Sequence, residues 1–528
     1  MARDFHLPGR SPVYAREGMA ATSHPLASLA AIETLRAGGS AADAAVTAVA
    51  LLSVIEPQMT GIGGDCFCLV AKPGAPVWGY NGSGRTGAAT EIEKLLAEGL
   101  KGSIPQDSVH AITVPGAVDA WETILKVHGR FGLDRALAPA IRMAEEGYAV
   151  PPRIALDWSL AAERLRKDKG AALHYLPGGQ PPAAGDTVRL PALAATLKRI
   201  AKNGSREFYE TDIAQDIVDT IAPRGNTLAA SDFAAHRGEE AIPISSSYRG
   251  LDIVELPPNG QGLAALVLLN ILERFDIAAL DPNGAERAHI ALEAARLAYA
   301  VRDTHIADPA FMRMAVPRLL DRAFAADLAD EIDRTKRSDL PQAPGPRGDT
   351  TLVNVVDRDR NAVSIINSLF VPFGSAVATE KTGIMLHNRG MSFFLDPKHP
   401  NCAGPNKRPM HTIIPALAMR GERCEMAFGV MGGSYQSMGH AHFVSNLVDY
   451  GMDVQAAIDA PRYFFEGQKI VVERGLPAEA VEGLKSRGHD VALRSLPLGG
   501  GQAIQIDWER GILIGGSDAR KDGCALGY

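Results

Sequence analysis

The sequence predicts a mixed α/β (α+β) chain in which helices alternate with short strands, and three observations carry that expectation. Apolar residues recur at helical spacing over 25–37, 136–146 and 286–302. Short apolar runs bounded by glycine or turn residues, at 66–70, 350–356 and 362–367, have strand character. No repeat of fixed period is present, so a solenoid or propeller is not expected.

The elements can be justified in chain order. The first helix, 25–37, stops at Gly38-Gly39. The longest apolar stretch, 41–55, carries Asp43 and ends at Glu56-Pro57, too short to span a bilayer. It is expected to be a buried helix with Ser40 as its N-cap. Gly61-Ile-Gly63-Gly64 follows that helix and precedes the strand at 66–70, the wrong order for a phosphate loop. Amphipathic helices are expected at 136–146 and 286–302, and a helix at 435–450 after the glycine-rich turn Gly429-Val-Met-Gly432-Gly433-Ser434.

Composition excludes several classes. With 46% hydrophobic and 22% charged residues the chain is an ordinary globular protein, not a disordered one. The net charge of −7 and the lack of any Lys/Arg block argue against nucleic acid or an anionic membrane as partner. Five scattered cysteines do not form a disulfide framework, and Cys66-x-Cys68 lacks zinc spacing, so buried free thiols are expected. No cluster with metal-ligand spacing is evident, and no metal or other cofactor is expected. The N-terminus lacks the apolar core of a signal peptide, which favours a cytoplasmic enzyme.

One segment breaks the pattern. Residues 334–349, RTKRSDLPQAPGPRGD, are rich in proline, glycine and charge, the composition of a mobile surface loop. They feed directly into the strand that begins Thr350-Thr351, followed by a turn at 357–361 and a second strand. Taken alone, this is the pattern of a linker ahead of an ordinary sheet, because β-branched residues suit strands. It also suits a particular chemistry. A threonine hydroxyl is a weak nucleophile, but as the first residue of a chain it has its own α-amino group, of pKa about 8, as general base. That requires cleavage between Asp349 and Thr350, through an N-to-O acyl shift and hydrolysis of the ester. The products would be fragments of 349 and 179 residues (528 less 349). An amidase also needs an oxyanion hole, and the turn at Gly432-Gly433 could aim backbone N–H groups at one.

These residues resemble the gamma-glutamyltranspeptidase family over nearly the whole chain. The likeness rests on Glu56-Pro-Gln-Met-Thr-Gly-Ile-Gly-Gly64, Thr113-Val-Pro-Gly-Ala117, the segment 137–146, Tyr248-Arg-Gly250 with Pro257-Pro258, and Arg296-Leu-Ala-Tyr-Ala300. It continues through Asp349-Thr-Thr351, Gly383-Ile384, Lys407-Arg-Pro409, Met431-Gly-Gly-Ser434, Ala460-Pro-Arg462 and Gly516-Ser-Asp518. The resemblance implies a four-layer αββα sandwich of the N-terminal-nucleophile hydrolases, cleaved into 1–349 and 350–528, whose two parts stay together. It implies Thr350 as processing and catalytic nucleophile, Ser368 as its hydroxyl partner, and Gly432 and Gly433 as oxyanion hole. Arg85 would grip a substrate carboxylate, since a guanidinium can pair with it bidentately.

The substrate contacts depart from the family pattern. Phe370 stands where the family has Asn. Ser392 stands in place of the Asp that binds an α-amino group, Arg389 where Gln is common, and His411-Thr412 in place of paired serines. The loop from Phe393 to Lys407 is short, which implies a reduced lid. An ammonium without a carboxylate partner loses a charge-assisted hydrogen bond worth about 1.5–3 kcal/mol. Two readings stand for His411: bonding substrate, or filling the space left by serine. The expected activity is therefore amide hydrolysis on gamma-glutamyl or related acid amides, with water favoured over transfer to a second amine. One alternative is a small-acid amidohydrolase, because a branch of the family with similar changes acts on oxamate and others act on bulky acyl amides. A second is an unprocessed, non-catalytic binding protein. Association as a homodimer is compatible with the sequence.

Overall fold

The computed structural model describes residues 9–339 and 348–528. Residues 340–347 of the expected surface loop therefore lie outside the described residues. Two wholly antiparallel seven-stranded sheets form the centre. One sheet runs Val13–Ala15, Ile512–Ser517, Gly500–Asp507, Arg423–Met431, Ala416–Arg420, Leu251–Glu255 and Ile244–Tyr248. The other runs Cys524–Gly527, Met19–Thr22, Asp349–Val356, Ala362–Phe370, Asp65–Ala71, Trp78–Gly82 and Glu239–Ala241. Each sheet interleaves strands from before and after the Asp349–Thr350 bond.

Side chains alternate across each strand, and the alternation builds the layers. Phe67, Leu352, Val356 and Ile366 of one sheet meet Val254, Leu417, Ala427 and Ile504 of the other in a central core. Val353, Val355, Val363 and Ile365 point the opposite way, under the helices Pro25–Arg36, Ala41–Ile55 and Leu133–Glu146. On the far side, Phe428 and Val430 pack beneath Gly262–Leu272, Ala285–His305 and Gln436–Val448. The result is the expected αββα order.

Ala41–Ile55 is buried at all fifteen positions, which is why it is apolar on every face. Ser40 caps it, and Asp43 completes a capping box. Its Asp43 carboxylate also accepts from the backbone N–H groups of Arg130 and Phe131, so the one charge in the stretch is satisfied. All five cysteines are free, and four are buried. No described helix is long and apolar enough to cross a membrane.

The glycine-rich segment after that helix serves packing. A Cβ on Gly64 would lie 2.4 Å from the Ser368 carbonyl oxygen, so the chain passes directly behind the strand Ala362–Phe370. Asn367 of that strand donates to Thr60 Oγ1 at 2.7 Å and to the Gly61 carbonyl at 3.1 Å, tying the two together.

Candidate active site

Thr350 stands at the start of Asp349–Val356, where a register shift separates it from the regular pairing with Ala362–Phe370. It shares the parity of Leu352, Asn354 and Val356, which face the opposite sheet, and it is fully buried. On the neighbouring strand Ser368 faces the same way. The two hydroxyl oxygens are 3.1 Å apart. Ser368 Oγ accepts the Phe370 N–H at 2.9 Å, which fixes its lone pairs and directs it at Thr350. Gln436, at the head of Gln436–Val448, places its amide nitrogen 3.5 Å from Thr350 Oγ1.

The opposite sheet supplies the turn. Arg423–Met431 ends at Gly432 and Gly433, whose φ angles are +129° and +59°. A side chain would be strained at either, so the sequence there is dictated by backbone shape. The turn's carbonyls are held from behind. Gln261 Nε2 donates to the Gly433 carbonyl at 2.9 Å and the Thr412 carbonyl at 2.8 Å, and its Oε1 accepts from Arg302 at 2.9 Å. The Tyr299 hydroxyl donates to the Ser434 carbonyl. These bonds fix the Gly433–Ser434 and Ser434–Tyr435 peptides that follow the turn. A Cβ on Gly348 would lie 2.7 Å from Gly433 Cα, so in the intact chain the residues ahead of Thr350 lie against this turn. Beside it opens a cavity of about 350 Å³, lined in part by Gly348, Gly432, Tyr435, Phe464, Arg164 and Arg494.

Arg389 enters the same group. Its guanidinium is fully buried and stacks 3.9 Å above the Phe370 ring centre. One terminal nitrogen donates to Thr412 Oγ1 at 2.7 Å and the other to Ser368 Oγ at 3.4 Å. Its Nε has no partner, and it forms no ion pair among the described residues. Burial pulls its pKa down to about 9, against the raising pull of Asp65, and it remains cationic at neutral pH.

Arg85 lies outside this group of contacts. Its charge is paired with Asp308 at 2.7 Å and Glu239 at 3.0 Å, and about a third of its side chain is exposed. Glu239 and Asp308 also bind Arg408, through its guanidinium and backbone N–H respectively. Ser392 is buried; its hydroxyl has no partner among the described residues, and its carbonyl accepts from Asn401.

His411 has both ring nitrogens engaged. Nδ1 accepts the Ile413 N–H at 3.2 Å, so Nε2 carries the proton and donates to Asp65 at 3.1 Å. Burial, and then the charge of Arg389, push its pKa down to about 3, leaving the ring neutral. Asp65 accepts N–H groups from Gly84 and Gly116 as well. Burial alone would raise its pKa, but His387 and His411 outweigh that and hold the carboxyl well below the usual range. A buried carboxylate thus braces the wall behind Arg389 without touching it.

Gln261, Arg302, Gln436 and Asp65 were not among the residues the sequence singled out as functional. Only the glycine-rich surroundings of Asp65 and the motif around Tyr299 offered a signal. The fold also brings together His289, Glu293 and His489, which sequence spacing did not reveal; their ligand atoms lie within 4.8 Å of one another. They bond to each other and to neighbours: His289 to His489 at 2.8 Å, Glu293 to Arg296 at 2.9 Å.

A buried threonine at a strand head, a hydroxyl partner and a positive-φ glycine turn across two stacked antiparallel sheets define an N-terminal-nucleophile hydrolase. Residues 27–528 match the family model described as Gamma-glutamyltranspeptidase, and the chain belongs to that family. It is 39% identical to the glutathione hydrolase-like YwrD proenzyme of Bacillus subtilis over 521 residues, covering 96% of this chain and 98% of that one. It is 34% identical to the oxamate amidohydrolase proenzyme of Klebsiella pneumoniae, covering 97% and 98%. Its structure is similar to that of cephalosporin acylase from Bacillus halodurans, with a TM-score of 0.93, 37% identity, and 100% and 99% of the two chains covered.

Proposed function

We propose that the chain is a self-processing amidohydrolase that cleaves amides of acids lacking an α-ammonium group. The observation that carries this is the 3.1 Å Thr350–Ser368 hydroxyl pair beside the buried cation Arg389, together with a serine at 392 where the family resemblance calls for a carboxylate. In the intact chain the Thr350 hydroxyl attacks the Asp349 carbonyl. The C–N bond breaks as the ester forms, and water then releases the 1–349 fragment. The freed α-amine takes the hydroxyl proton in each later turnover. Thr350 Oγ adds to the substrate carbonyl, the oxyanion is met by the Gly432–Gly433 turn, and the departing nitrogen leaves protonated as the amine. Water hydrolyses the acyl ester and restores the threonine. The interleaved sheets keep the two fragments associated.

The test is direct. Purified protein should resolve into two bands of 349 and 179 residues, and Thr350→Ala should remain one band and release no ammonia from acid amides. A single persistent band from the unaltered protein would favour the non-catalytic alternative. The gamma-glutamyl reading is checked alongside: Thr350-dependent release of glutamate from glutathione would show that Ser392 suffices for the ammonium.

A further inference from the structure

The helix Ala285–His305 carries His289 and Glu293 four residues apart, so both side chains project from one face, one turn from each other. The helix Ala478–Ser486 packs against its start: a Cβ on Gly483 would lie 2.4 Å from Ala285 Cβ. The chain then turns back at Gly488, whose φ is +87°, and the His489 N–H donates to the Leu484 carbonyl at 3.2 Å. That return sets His489 against His289 and Glu293. All three are buried, and one ligand atom from each lies within 4.8 Å of the others.

The hydrogen bonds fix how the rings face. His289 Nε2 is 2.7 Å from the Asp333 carbonyl oxygen, which can only accept, so Nε2 carries a proton. In the neutral ring the Nδ1 lone pair then faces His489 Nε2, 2.8 Å away. That contact takes a proton on His489 Nε2 and leaves His489 Nδ1 a buried lone pair with no partner among the described residues. An imidazole whose far N–H is held by a main-chain carbonyl, while its near lone pair points into a buried polar cluster, has the orientation of a metal ligand. Glu293 is held too: Arg296 Nη1 donates to Oε1 and the Ser338 N–H to Oε2, each at 2.9 Å. Each carboxylate oxygen keeps a further lone pair. Ligands at about 2.0–2.2 Å in a tetrahedron stand about 3.3–3.5 Å apart. The two imidazole nitrogens at 2.8 Å, and all three ligand atoms within 4.8 Å, surround that value, and modest side-chain shifts bring them to it.

We propose that His289, Glu293 and His489 bind a divalent transition metal, zinc in the first place, through two imidazole nitrogens and one carboxylate oxygen, with His489 in its Nδ1–H tautomer. Two nitrogens and one oxygen suit zinc and do not meet the all-oxygen preference of calcium or magnesium. Three protein ligands leave a position for water. Arg296 competes for Glu293, so the affinity is expected in the micromolar range, below that of a closed structural zinc site. His289 and Glu293 precede the Asp349–Thr350 bond and His489 follows it, so the ion joins the two fragments of the processed protein. Only that bridge, and not the site, rests on the cleavage proposed above. The chain leading to that bond is anchored here as well, through the Asp333 carbonyl and the Ser338 N–H.

The test uses tag-free full-length protein freed of metal by a chelator, with zinc chloride as the probe. Calorimetric titration should give one zinc per chain, for wild type and for the uncleaved Thr350→Ala variant alike. Affinity should fall roughly tenfold or more in His289→Gln and in His489→Gln, and stay unchanged in His174→Gln, on the separate helix Lys169–Tyr175. Cobalt(II) should develop the visible bands of a four- or five-coordinate ion in wild type and not in His489→Gln. Zinc in excess should raise the melting temperature of cleaved wild type by a few degrees, and chelator should reverse the shift. No zinc uptake by wild type, or uptake that both histidine variants leave intact, would overturn the site. The wild-type titration decides this even where a variant fails to fold. If zinc binds at these histidines but the wild type stays a single band, the cleavage reading fails and the site stands. If the wild type is cleaved and takes up no zinc, the site fails and the cleavage reading stands.

Discussion

Replacing Gln261 by alanine tests whether the glycine turn is positioned from behind. Gln261 is fully buried and makes three hydrogen bonds, to the carbonyls of Gly433 and Thr412 and from Arg302. Truncation leaves two carbonyls and one guanidinium N–H without that partner. At about 1–3 kcal/mol for each buried group left unsatisfied, and with some relief from water entering the space, the total loss is on the order of 3–5 kcal/mol. Part of it should appear as a melting temperature lowered by several degrees. The functional part is more specific. If loss of the bond to the Gly433 carbonyl lets the Gly432–Gly433 turn relax, the oxyanion donors proposed there are misplaced, and losing one such donor costs about 10²–10³ in kcat. Because Gln261 touches no reacting atom, KM should change little. The assay is kcat and KM on the best acid amide, measured well below the variant's melting temperature, together with the half-time of fragment appearance after synthesis. A variant that melts lower yet keeps wild-type kcat and processing would refute the reasoning and leave Gln261 a residue of stability alone.

Two further outcomes are expected. Gly348→Ala puts a Cβ 2.7 Å from Gly433 Cα and 2.9 Å from the Phe370 carbonyl, so self-cleavage should slow at least several-fold on a gel time course, while protein that has been cleaved keeps wild-type kcat. Glu56 is pushed up to about 7 by burial, so its folded pKa exceeds its unfolded value of about 4.5. The folded form holds its proton more tightly, and stability is lost as pH rises from 4.5 to 7, by about 3 kcal/mol at the plateau. Glu56→Gln keeps an acceptor for Ser23 and should flatten that part of a melting-temperature-against-pH curve.

What the sequence made legible was what composition and spacing encode directly. Ala41–Ile55 could be read because its burial demands an apolar residue at nearly every position and its cap uses a serine and an aspartate three residues on. The strand at Thr350 could be read because a proline-, glycine- and charge-rich segment stops there and a β-branched run begins. Arg389 could be noticed as a departure, but not as one without an ion pair among the described residues, because that depends on the whole surrounding shell. Arg85 shows the converse. Its motif implied a grip on a substrate carboxylate, but could not reveal its ion-pair partners Glu239 and Asp308, which come from 154 and 223 positions away. Gln261 was invisible for a related reason: it binds main-chain carbonyls at 412 and 433, and a carbonyl has no side-chain signature. Long-range pairing of polar groups is decided by topology, which hydrophobic period alone does not specify.

Processing and catalysis share the glycine turn. In the intact chain the backbone just ahead of Thr350 lies against the Gly433 turn. On the proposed mechanism the scissile peptide approaches Thr350 from the side of that turn, which then serves its oxyanion and that of an external amide alike. One set of donors then has to serve two reactions, the first intramolecular and the second repeated. Intramolecular attack gains from effective molarity that can reach about 10⁵–10⁸ M, so it tolerates a poorly aimed donor better than turnover does. Variants at Gln261 or in the glycine turn should accordingly damage turnover more than self-cleavage. Variants at Gly348, which leaves with the first fragment's end, should do the reverse. A residue that damaged both equally would have to act on what the two steps share, the Thr350 hydroxyl itself or the Ser368 hydroxyl 3.1 Å from it.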